Sequence, residues 1–195
     1  MLVFWEPRLA LLATPKTGST AIAAALESLA VLSVQRPPAL KHTSVRRFGR
    51  FLGPWLEAAA GTPFEVAALM REPRAWLGSW YRYRQRPELT DPLRSTQGIA
   101  FDAFVRDWCG DAPPPYAQVG RQSRFLGQGE GVHHLFRYEA IDTFVAFLED
   151  RLGCEIVLPR LNVSPQMDLD LEATTERRLR EVAAADFALY DRLAR

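Results

Sequence analysis

Two short polar turns hold the side chains best suited to chemistry. Pro15-Lys16-Thr17-Gly18-Ser19-Thr20 places one ammonium, three hydroxyls and a glycine within six residues. The apolar run Leu9 to Thr14 precedes it, and Ile22, Ala25, Leu26 and Leu29 follow at helical spacing. A strand that feeds such a turn into a helix start makes a phosphate cradle. The unpaired N–H groups of the first helical turn and the positive end of its dipole face the anion. Lys16 adds a point charge, Thr17, Ser19 and Thr20 add donors, and Gly18 lets the backbone approach closely. The order differs from a Walker loop, GxxxxGK[ST], because Lys16 precedes Gly18.

The second turn is Arg71-Glu72-Pro73, after the apolar run Phe64 to Met70. Ser79 lies eight residues beyond Arg71, on the helix that Pro73 opens. An arginine at a strand end and a serine on the next helix can donate to one phosphate. Taken alone, each turn also reads as ordinary structure: a capped helix start, a surface arginine and a helical serine. For proton transfer the sequence offers three histidines, His42, His133 and His134. His42 follows Lys41 and lies between the two turns, so it is the candidate base, with acceptor positioning as its other role. His133 and His134 sit in an expected strand and read as structural. Glu72, beside Arg71, reads as a helix-capping charge.

The elements that must position these residues alternate. Strands are expected at Leu9–Thr14, Phe64–Met70, Val132–Arg137 and Glu155–Leu158. Helices are expected at Ala21–Leu32, within Val45–Ala60 with an interruption near Gly53 and Pro54, at Arg74–Arg86, Phe101–Trp108, Tyr116–Leu126 and Ile141–Gly153, and over Glu172–Arg195 as one long helix or two. Gln35–Leu40 reads as loop, Lys41–Thr43 as a strand end and Asn162–Leu171 as loop. The pattern implies a single α/β domain over residues 1–195, three-layered around a central, mainly parallel sheet, with ligands at the strands' carboxyl ends. Trp76, Trp80, Tyr81 and Tyr83 read as core, with a sugar platform as the alternative. The Arg82, Arg84, Arg86 run reads as a solvated face.

The two turns together resemble a known family. LLATPKTGSTAI resembles the 5′-phosphosulfate loop of sulfotransferases that use 3′-phosphoadenosine 5′-phosphosulfate (PAPS), and ALMREPRAWLGSWY resembles their 3′-phosphate element. VGRQSRFL, HLFRYEAI and the terminal ADFALY are similar to later segments of Golgi-type and bacterial carbohydrate sulfotransferases. The resemblance implies P-loop-like nucleotide-binding architecture and transfer of a sulfuryl group from PAPS, as co-substrate, to an acceptor hydroxyl. It implies that Lys16, Thr17, Gly18, Ser19 and Thr20 hold the 5′-phosphosulfate and that Arg71 and Ser79 hold the 3′-phosphate. Gln122, Arg124 and Phe125 become candidates for the adenine. A glycan or another hydroxylated metabolite is the implied acceptor. The rival readings are a P-loop-like small-molecule kinase and a non-catalytic nucleotide-binding protein.

Composition narrows the classes further. The formal net charge is +1, so no global field draws in nucleic acid. The two cysteines, Cys109 and Cys154, lack metal-site spacing, and no metal motif occurs. No stretch reaches the roughly 20 apolar residues of a membrane span. Glu6, Pro7 and Arg8 interrupt the first apolar run, so the expected location is cytoplasmic.

Overall fold

The computed structural model describes residues 1–89, 91–159 and 167–193. The expected loop at 162–171 therefore falls partly outside the described residues, and so do the last two residues of the expected C-terminal helix, 194–195. Five strands form one sheet: β1 (Leu2–Phe4), β2 (Leu9–Leu11), β3 (Leu32–Ser33), β4 (Glu65–Met70) and β5 (His134–Arg137). Their order is β3-β1-β2-β4-β5. β2 pairs with β4 and β4 with β5 in parallel, whereas β1 pairs with β2 and β3 antiparallel. The sheet is thus mixed, which corrects the expectation of a mainly parallel one. The cause is the N-terminal run: Glu6 to Arg8 are a hairpin turn, and Arg8 takes a left-handed φ of 50°. The three-residue β1 is buried on both faces, so it lacks the period of two that would have revealed it.

The helices are α1 (Ser19–Leu26), α2 (Pro38–Lys41), α3 (Val45–Arg47), α4 (Gly53–Ala60), α5 (Pro73–Arg84), α6 (Phe101–Trp108), α7 (Gln122–Phe125), α8 (Ile141–Leu152), α9 (Ala173–Val182) and α10 (Ala184–Asp191). A π-helical turn, Phe48–Leu52, joins α3 to α4, so the segment 45–60 stays helical across Gly53 and Pro54. Side chains alternate across the sheet. Val3, Ala10, Leu12, Val66, Ala68 and Met70 pack with Val45, Phe48, Leu56, Leu126 and Leu189 on one face. Leu2, Phe4, Leu9, Leu11, Ala67 and Leu69 pack with Ile22, Leu26, Phe144 and Leu148 on the other. A third cluster joins α5, α6 and α9 through Trp76, Leu77, Phe104, Trp108 and Leu179.

Three further expectations change. Tyr116–Leu126 is not one helix. Arg84 takes the carbonyls of Pro115, Tyr116 and Gln118, and Trp108 Nε1 takes that of Val119, so side chains occupy the acceptors a helix would need. Glu155–Leu158 joins no ladder; Ile156 N–H donates to Glu149 Oε1 at 2.8 Å instead. Pro38–Lys41 form α2 and His42 caps it, so the segment 35–43 is neither all loop nor a strand end.

The layout creates a switch point. From β2 the chain passes through α1 to β3 on one side of the sheet; from β4 it leads to β5 on the other. The carboxyl ends of β2 and β4 therefore border a crevice at which their connections diverge, the usual place for a ligand in such sheets.

Candidate functional site

A cleft of about 1010 Å³ opens over these strand ends. Lys16, Gly18, Ser19, Thr20, His42, Arg71 and Ser79 all line it, from four separate stretches of chain. The residues singled out in the two turns, together with His42, converge on one place, Thr17 excepted. Thr17 is buried, and its hydroxyl donates to the carbonyl of Thr14 at 2.9 Å. Its side chain braces the turn from beneath and does not line the cleft.

The cradle has the expected open end. Gly18 caps α1 at φ 72° with no side-chain bond to the first-turn N–H groups. Those donors have no protein cap to satisfy them. Gly18 is required there twice over: a Cβ would be strained at that φ and would meet Tyr138 Cε2 at 3.2 Å. Lys16 also adopts a left-handed φ, 66°, a conformation that costs a non-glycine residue about 1 kcal/mol or more. The α5 start is different. There Glu72 Oε2 accepts from Ala75 N–H at 2.7 Å, so Glu72 is the capping charge the sequence suggested.

The two turns touch. Arg71 Nη1 donates to the carbonyl of Lys16 at 3.3 Å, and the Arg71 guanidinium lies 4.8 Å from the Tyr138 ring centre. Residues at helical spacing on α5 face the first turn: Trp76 Nε1 donates to the Pro15 carbonyl at 2.9 Å, and Ser79, Trp80 and Tyr83 line the cleft. Lys16 Nζ sits 3.1 Å from the Tyr83 ring centre and 4.4 Å from that of Trp80. Burial, with repulsion from Arg86 and Arg84, lowers its pKa to about 7. Trp76 and Tyr81 are core as expected, whereas Trp80 and Tyr83 are cleft walls. Of the arginine run, Arg84 is buried on backbone carbonyls, and Arg82 and Arg86 line the cleft, which overturns the solvated-face reading.

His42 Nδ1 lies 2.6 Å from the Ala13 carbonyl oxygen. A carbonyl only accepts, so Nδ1 carries the proton and Nε2 keeps its lone pair. Burial lowers the His42 pKa, partly opposed by that same bond. The ring is therefore held neutral with one basic nitrogen. Lys41 Nζ donates to Thr20 Oγ1 at 3.4 Å, tying the His42 segment to the cradle. His133 Nδ1 accepts from Val66 N–H, and His134 pairs with Glu65; both lie away from the cleft lining.

The later motifs act behind the site. Gln122 does not line the cleft. Its amide clamps the Arg71 backbone, accepting from the N–H at 2.9 Å and donating to the carbonyl at 2.8 Å. Asp186 accepts from the N–H and hydroxyl of the neighbouring Ser123, at 3.0 and 3.1 Å. Tyr190 donates to Glu139 Oε2 at 2.9 Å, and Glu139 Oε1 accepts from Glu72 N–H at 3.0 Å. Hydrogen bonds from α10 thus reach Glu72 through Glu139, and reach Arg71 through Ser123 and the adjoining Gln122. Arg124 and Phe125 are likewise absent from the cleft lining.

The electrostatics are one-sided. Lys16, Arg36, Lys41, Arg71, Arg82 and Arg86 line the cleft, and no Asp or Glu does so among the described residues. Arg71 Nε, Arg82 Nε and Trp80 Nε1 are buried donors without an acceptor among those residues. Such a cleft suits a ligand with several negative charges and many acceptor oxygens. No protein-family model, curated protein or solved structure matches this chain.

Proposed function

We propose that this chain is a sulfotransferase that binds PAPS in the cleft and transfers its sulfuryl group to an acceptor hydroxyl. The observation that carries the reading is the convergence of the cradle, Arg71, Ser79 and His42 on one cleft with six cations and no described carboxylate. The P-loop-like nucleotide architecture, the single domain and the glycan-like acceptor belong to the same reading. The sequence resemblance supports them.

Ser19, Thr20 and the free N–H groups of α1 would hold the 5′-phosphosulfate, with Lys16 beside them. Arg71 and Ser79 would hold the 3′-phosphate, the group that separates PAPS from ATP. Trp80 and Tyr83 offer faces to a flat ring. In the transfer step the acceptor oxygen attacks sulfur and an O–S bond forms. The bond from sulfur to the bridging oxygen breaks, and its electron pair stays on the 5′-phosphate of 3′,5′-diphosphoadenosine. The acceptor proton passes to His42 Nε2. Charge grows on the leaving phosphate, where Lys16 and the helix start stabilise it. A magnesium-dependent kinase would need a carboxylate beside its metal, and the described lining offers none.

The test is ligand-induced stabilisation followed by transfer. A hundredfold excess of 3′,5′-diphosphoadenosine over its Kd adds about 2.7 kcal/mol to stability, with no metal required. AMP, which lacks the 3′-phosphate, stabilises much less. Equal shifts with AMP, or a larger one with ATP and magnesium, remove the reading. Labelled PAPS offered with a panel of hydroxylated acceptors then identifies the acceptor.

A further inference from the structure

The segment 45–60 turns an unusual face outward. Val45, Phe48 and Leu56 bury the inner side in the core. On the outer side Arg46, Arg47, Arg50, Phe51, Pro54 and Trp55 are exposed. Arg47, Phe51 and Trp55 recur every fourth residue, as do Arg46, Arg50 and Pro54, and all six are exposed while Val45, Phe48 and Leu56 are buried. Phe51 and Trp55 are each 62% exposed. The Arg50 guanidinium lies 5.1 Å from the Phe51 ring centre. None of the three arginines pairs with a carboxylate among the described residues. Glu57 is the one carboxylate of the segment.

We propose that this face is a docking surface for a membrane that carries anionic headgroups. The two parts of the face call for different surroundings. Large exposed rings gain by leaving water, and indole and phenyl groups settle at the headgroup level of a bilayer. Unpaired arginines beside them gain from headgroup phosphates and carboxylates, and their aliphatic stems can lie along the apolar boundary. One surface satisfies both. A second copy of the chain does not, because it would bring three arginines against three more. The helix would lie along the bilayer surface without entering it, in keeping with the absence, among the described residues, of any helix long and apolar enough to cross a membrane. This inference does not depend on the transfer chemistry proposed for the cleft.

The experiment is co-sedimentation of the full chain with vesicles of phosphatidylcholine alone and of phosphatidylcholine mixed with phosphatidylserine. Binding to the mixed vesicles and little to the neutral ones is expected. Arg46→Gln/Arg47→Gln/Arg50→Gln should weaken it by about 100-fold. Phe51→Ser/Trp55→Ser should weaken it by at least about tenfold. Both variants alter exposed side chains, and circular dichroism should show an unchanged fold. Three results would overturn the proposal. One is no binding to the mixed vesicles. Another is binding that the aromatic changes leave intact, which would reduce it to unspecific adsorption of charge. The third is a concentration-dependent dimer that Phe51→Ser/Trp55→Ser abolishes, which would give the face to a second copy.

Discussion

Lys16 holds its ammonium against Tyr83 and Trp80, and burial brings its pKa from the usual 10.5 down to about 7. Between about pH 7 and 10.5 the unfolded chain keeps this proton and the native chain does not, so stability gained through Lys16 rises with pH across that window. The melting-temperature difference between the parent and Lys16→Met should therefore widen in the parent's favour from pH 7 to 10. An anionic ligand reverses the balance, because it favours the charged form. Binding of 3′,5′-diphosphoadenosine should take up a proton above pH 7, and affinity should fall as pH rises. Calorimetry at pH 8 in two buffers of different ionisation heat measures that uptake; a heat independent of buffer would remove Lys16 from the ligand. Burial also sets the His42 pKa below the usual value of about 6.5, so the rising limb of the kcat/KM profile, which reports the ligand-free enzyme, should lie below that value. His42→Ala should slow turnover by roughly 10²–10⁴-fold and leave nucleotide affinity nearly unchanged. An intact pH profile in that variant would assign the proton to another group.

At the scale of elements, the strand end that carries Arg71 is held by residues far along the chain. The Gln122 amide closes a pair of hydrogen bonds on the Arg71 backbone, and Asp186 and Tyr190 of α10 stand behind it through Ser123 and Glu139. Gln122→Leu breaks both bonds and leaves a half-buried N–H and carbonyl of Arg71 without these partners, at a cost of about 1–2 kcal/mol. Its functional signature should be selective: affinity for 3′,5′-diphosphoadenosine falls, affinity for AMP changes little, and the ratio of the two Kd values shrinks. A variant that loses stability but keeps the ratio would make Gln122 a packing residue only. VGRQSRFL and ADFALY were visible as patterns in the sequence. What they contact was not, because side chains 51 and 63 residues apart meet only once the sheet and α10 have assembled. The platform of Trp80 and Tyr83 was closer to legible. Trp76, Ser79, Trp80 and Tyr83 follow helical spacing, so the expectation for Ser79 pointed to the side of α5 that lines the cleft.

The whole molecule carries a net charge of +1, yet six basic side chains line one cleft. Its field is local, so the consequence is a salt dependence of binding with little of folding. Raising the salt should weaken 3′,5′-diphosphoadenosine far more steeply than AMP while the melting temperature of the ligand-free protein barely moves; parallel slopes would place the 3′-phosphate away from these cations. Local sequence determined much of this arrangement. β2, β4, β5, α5, α6 and α8 follow from apolar period, Pro73 and Gly153. The cradle follows because a strand, a glycine and a helix start are consecutive in the chain, and consecutive residues need no tertiary help to share a turn. Tertiary structure decided the rest. It made the sheet mixed, since β1 is three residues long and buried on both sides, and pairing, not pattern, defines it. It turned Thr17 inward onto Thr14, and it fixed the His42 tautomer by a carbonyl 29 residues away. It gathered Arg82, Arg86 and the 36–42 segment at the cleft without a described counter-charge. Charge balance in a cleft depends on which side chains the fold brings within a few ångströms, and separation along the chain does not encode that distance.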